Sequence, residues 1–111
     1  PGVTLQAEAP WGMHTRWLSI VHLDPDVHGV RPADVVRTLE ASNIETRPVW
    51  RPMHTQPLLR DAMAIGGAVS ERHFARGLCL PSSSSLTEHD QDLVIESFRK
   101  CFAEAAAMSS L

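Results

Sequence analysis

Arg47-Pro-Val-Trp-Arg-Pro-Met-His-Thr-Gln-Pro57 packs three prolines, two arginines, a tryptophan, a methionine and a histidine into eleven residues. Each proline removes a backbone donor and drives the residue before it out of the helical region, which excludes a helix and a central strand here. The stretch is therefore a stiff, extended loop with polar and aromatic side chains. A rigid backbone presents such groups at little entropic cost, so the loop reads either as a contact surface or as a proline-rich connector.

Upstream of it, Ile44 to about Trp50 reads as a strand, and Pro48 makes that strand an edge or terminal segment. Pro32 suits the first turn of a helix carrying Val35, Val36 and Leu39, which Asn43 ends. Earlier still, TRWLSIVHLD from Thr15 to Asp24 is rich in β-formers, with Leu18 and Ile20 on one side and Trp17, Val21 and Leu23 on the other. A strand apolar on both faces needs cover on each, and the second cover is expected from another domain.

Downstream, LLRDAM predicts a short helical turn, and Val69 to Arg76 predicts a helix stopped by Gly77. LCLP is a short apolar strand and SSSS a loop. Thr87 with Asp90 approximates a capping box for a last helix whose apolar stripe is Val94, Phe98, Cys101, Phe102 and Ala105. The alternation of strands and helices fits either a parallel α/β unit or an α+β sheet covered by helices.

One domain is the natural content of 111 residues, and a formal charge of -3 without a basic stripe argues against nonspecific nucleic-acid binding. No apolar run approaches the roughly 20 residues of a membrane helix. Two cysteines argue against a disulfide framework and favour a reducing compartment, so a cytoplasmic location is expected. The opening PGVTLQAEAPWG looks like a linker, and residues 1–13 are expected to join a preceding domain to a folded unit over 14–111.

The six histidines form no HxH or HxxxH pair and no zinc-site spacing with the cysteines, so no metal site is assigned. His22 reads as a surface or interface residue, His89 as solvated. No GxSxG elbow, P-loop or GxGxxG occurs, and Cys101 on the apolar stripe reads as core.

The RPxWxPMHxQP pattern at Arg47–Pro57, followed by GLCLPS and LTEHDQDLVI within Gly77–Ile95, resembles the C-terminal domain of DegT/StrS-type sugar aminotransferases. Ser83 stands where many relatives carry glycine. The resemblance implies an α+β fold, a small mostly antiparallel sheet covered by helices, as in the small domain of fold type I pyridoxal phosphate enzymes. It further implies a preceding cofactor domain bearing the Schiff-base lysine, a homodimer, an amino donor such as glutamate and a nucleotide-linked keto sugar as acceptor. His54, Arg47, Trp50 and Met53 are the substrate-binding candidates: Arg to pair with a phosphate or carboxylate, Trp to stack, His to hydrogen-bond. Packing against the preceding domain is the competing role for Trp50 and Met53. The single lysine, Lys100, lies on the last helix among polar neighbours, so no catalytic residue and no bound cofactor are expected within these residues. A free-standing, non-catalytic binding or regulatory module is the alternative, and a pure dimerisation domain a further one.

Overall fold

Val21 and Leu23 leave the same side of one strand, and Leu78 leaves the same side of the strand beside it. The computed structural model, which describes residues 1–108, closes Val30, Val35, Leu39, Ile44, Val94 and Cys101 over them as one buried cluster. The strands are β1 (Val3–Leu5), β2 (Ser19–Leu23), β3 (Arg47–Pro48) and β4 (Gly77–Leu80), ordered β1-β2-β4-β3 with every neighbour antiparallel. The helices are α1 (Pro25–His28), α2 (Pro32–Ala41), α3 (Ala68–Arg76) and α4 (Glu88–Met108). The fold is α+β, and the parallel α/β alternative drops out.

Register explains which residues reach the core. Val21 faces Leu78 across the β2–β4 pair, so both point to the side covered by α2 and α4, while Ile20, Cys79 and His22 point to the other. Each fully buried leucine on the covered side contributes about 1.5–3 kcal/mol relative to exposure. Phe98, Phe102 and Ala105 of the expected α4 stripe pack against the cluster from its margin. The α4 start is the capping box anticipated at Thr87: Asp90 N donates to Thr87 Oγ1 at 3.1 Å, and Thr87 N donates to Asp90 Oδ2 at 3.2 Å. The Thr87 hydroxyl and amide together hold the Asp90 carboxyl below its ordinary range.

Two sequence expectations change, both at strand ends. The first strand begins at Ser19 rather than Thr15, because Arg16 takes a left-handed φ of 56° that breaks the extended run. Trp17 consequently does not join Val21 and Leu23 and stays 73% exposed. The strand expected over Ile44–Trp50 shrinks to Arg47–Pro48, where Pro48 cannot donate to a longer ladder; Ile44 and Thr46 are buried all the same. Within the stretch expected as linker, Val3–Leu5 pairs with β2 from Leu23 back to Val21.

Gly77 does stand at the C-cap of α3, but in extended conformation as the first residue of β4. Its small size is what the site demands. A Cβ there would overlap Val49 Cγ2 and lie 2.5 Å from the carbonyl oxygen of His73.

Candidate functional site

The proline loop divides into two parts that face different neighbours. Its first part follows β3. Arg47, exposed, pairs with Glu45, and the Trp50 ring lies 5.9 Å from that of Trp17 at 34°. Arg47, Trp17 and Trp50 border a groove of about 850 Å³ whose other walls come from Cys79, Leu80 and, on α4, Leu93 and Val94. Two exposed indoles beside a guanidinium make a surface able to take a planar or apolar ring next to an anionic group.

The second part turns toward α3. Pro52 is buried, and a single 3₁₀ turn, Met53–Thr55, follows it. The turn is fixed by Thr55, whose amide and hydroxyl both donate to the Pro52 carbonyl, at 3.1 and 2.8 Å. Arg51 sits over the Phe74 ring, 5.3 Å from its centroid, and so pins the loop to α3. Met53 remains exposed, with its sulfur 3.4 Å from Gln56 Nε2. His54 is half-buried, and its Nε2 lies 2.7 Å from Glu71 Oε1 in the first turn of α3.

The four candidates thus do not form one cluster. Arg47 and Trp50 share the groove, whereas Met53 and His54 lie on the α3 side. Sequence reasoning missed Glu71, which is seventeen residues from His54 with a glycine pair and a helix start between them, so no spacing rule links the two. It also treated Trp17 as a strand residue, although a tryptophan preceding the β-run was a visible cue for surface aromatic contact.

A second histidine site went unnoticed because the sequence separation is large: His22 Nε2 on β2 and His73 Nδ1 on α3 are 2.8 Å apart, with the rings edge to face. Burial, and then the charge of His73, lowers the His22 pKa. In the unfolded chain His22 protonates near its ordinary value, while in the fold it resists protonation. The contribution of neutral His22 is therefore fully present above about pH 6.5, and stability drains away as pH falls below that toward the lowered folded value. His22→Gln is expected to flatten the pH dependence of the unfolding temperature between pH 7 and 5, measured against the parent chain. An equal acid sensitivity in both proteins would remove the pair as its source.

The remaining chemistry-bearing groups are quiet. Lys100 is exposed on α4. Cys79 and Cys101 are free and buried, and burial pushes both thiols up, which disfavours a thiolate nucleophile. Among the described residues no cluster of three or more His, Cys, Asp or Glu is arranged to hold a metal ion, and no helix is long and apolar enough to cross a membrane.

Known proteins share both the sequence and the fold. A model of the DegT/DnrJ/EryC1/StrS aminotransferase family matches residues 1–99. EpsN of Bacillus subtilis (strain 168), named as a pyridoxal phosphate-dependent aminotransferase, is 44% identical over 99 residues, covering 86% of this chain and 25% of EpsN. GDP-perosamine synthase of Caulobacter vibrioides is 36% identical over 93 residues, covering 84% of this chain and 25% of that enzyme. Among solved structures, DesI with its TDP-sugar product superposes with a TM-score of 0.84 at 24% identity, over 99% of this chain and 28% of DesI. A family aminotransferase from Brucella abortus gives 0.73 at 25% identity, over 91% of this chain and 26% of its own. The chain spans about a quarter of the length of the curated relatives it matches. With the loop motif, the antiparallel sheet and the family match over residues 1–99 in agreement, the chain belongs to the DegT/DnrJ/EryC1/StrS aminotransferase family.

Proposed function

We propose that this chain is the C-terminal small domain, residues 14–111 with 1–13 leading into it and adding the strand Val3–Leu5 to its sheet, of a cytoplasmic, homodimeric pyridoxal phosphate-dependent aminotransferase. The enzyme moves an amino group from a donor, glutamate, to a keto sugar carried on a nucleotide. The observation that carries this reading is the Arg47–Pro57 loop, fixed at Pro52 and on α3, which leaves Arg47, Trp50 and Met53 exposed and holds His54 half-buried beside α3. In this reading Arg47 answers a phosphate, Trp50 stacks on the nucleotide or sugar, Met53 supplies apolar contact and His54 gives a hydrogen bond. Relatives whose names concern GDP- and TDP-linked sugars favour a nucleotide-linked acceptor.

The residues present do not fit the cofactor. A Schiff-base lysine needs a pocket that depresses its pKa and grips the ring, and Lys100 is a solvated helix residue. This domain then contributes binding and orientation of the substrate, and the cofactor with its electron-sink chemistry is held by the rest of the enzyme. Exposed Trp11, Met13, Met63 and Ile65 are apolar surface suited to contact with that larger domain.

The test is amino transfer to nucleotide-linked keto sugars by the protein that carries this domain, compared with its His54→Ala variant. Loss of the imidazole is expected to cost about 1–3 kcal/mol of transition-state binding, about 5- to 150-fold in kcat/KM. Stability should change by at most about 1 kcal/mol, because Glu71 is largely exposed and an exposed ion pair is worth little. Unchanged turnover per folded molecule together with a clear drop in unfolding temperature would make His54 a structural tie and the loop an interdomain brace.

A further inference from the structure

We propose that Glu71 is a positioning residue that fixes the orientation and tautomer of His54. The inference rests on the reading of His54 as a substrate-binding group and adds how that group is made ready. A histidine on a short loop turn has a broad second torsion and two dissimilar nitrogens, so an unconstrained ring offers a mixture of donors and acceptors.

Here three features remove that freedom. The Glu71 carboxylate accepts from Nε2 at 2.7 Å, so a neutral ring carries its proton on Nε2. No described residue bonds Nδ1, which is left as the acceptor toward a ligand, or as a donor once the ring is charged. Behind the ring stands Gly67, at φ 117°: a Cβ there would lie 2.8 Å from both His54 Cε1 and Nε2, so the edge that faces Glu71 is also the edge the backbone admits. The Gly67 carbonyl in turn accepts the Glu71 amide at 3.0 Å and the Ser70 hydroxyl at 2.8 Å, tying carboxylate and backing residue into one turn. A carboxylate in the first turn of α3 is further favoured by the exposed amides of the helix start.

If Glu71 made only a surface ion pair, its loss would be felt weakly and independently of His54. A positioning role predicts coupling. Ring ¹⁵N shifts of His54 in the full chain should report the Nε2–H tautomer when the ring is neutral, kept in Glu71→Gln, whose amide oxygen still accepts, and lost to a mixture in Glu71→Ala. In the enzyme that carries the domain, Glu71→Ala should lower kcat/KM about tenfold, Glu71→Gln should recover most of that, and Glu71→Ala should cost nothing further once His54 is already alanine. A mixed tautomer in the parent chain, or additive losses in the double variant, would overturn the role of Glu71. A fixed tautomer that depends on Glu71 alongside turnover indifferent to His54 would support the orientation and overturn the binding role of His54 instead, so the two readings fail separately.

Discussion

Leu78→Ala is expected to destabilise the domain by about 2–5 kcal/mol and to lower its unfolding temperature by about 10–25 °C. Leu78 is fully buried on β4, facing Val21 on one neighbouring strand and Pro48 on the other, and it belongs to the cluster that α2 and α4 close. Truncation removes three carbons from a position held by sheet hydrogen bonds on both sides, so the surrounding backbone cannot collapse into the void. The short edge strand β3 pairs with β4 at this residue, and Pro48 opposite it cannot donate to the ladder. Leu58→Ala is the control: that side chain is 93% exposed, and its loss should shift stability by no more than about 0.5 kcal/mol. Thermal unfolding of the two variants beside the parent measures the contrast, and similar midpoints for both would show that the core is not where the structure puts it.

Local pattern made much of this fold legible. The α4 stripe, its Thr87 cap and the Pro32 helix start were readable because each depends on residues within a turn or two of one another. Strand ends were less so. The break at Arg16 is a left-handed residue without glycine or proline to announce it, and β3 stops at Pro48, which cannot donate to the ladder. Whether the sheet was parallel or antiparallel could not be read from element order at all. Antiparallel pairing of β2 with β4 joins residues more than fifty positions apart, and only the family resemblance pointed to it in advance. The candidate site divides along the same line. The prolines of the loop declared its stiffness, and its arginine, tryptophan and histidine declared polar and aromatic contact. The Glu71 clamp, the Gly67 backing and the His22–His73 pair are all made between segments distant in sequence, and no period or spacing encodes them.

In the proposed function labour is divided: these residues bind and orient, and the cofactor's lysine lies elsewhere. Lys100 is exposed on α4, where no pocket encloses a pyridine ring, so only the slow, nonselective reaction of any exposed amine with an aldehyde is available to it. The direct measurement is peptide mapping after the protein is loaded with pyridoxal phosphate and reduced with borohydride, done on this chain and on the longer protein that carries it. The account predicts no stoichiometric label on Lys100 in either sample, and in the longer protein one label on a lysine outside these 111 residues, with amino transfer intact in Lys100→Ala. Stoichiometric label on Lys100, with transfer lost in Lys100→Ala, would contradict it.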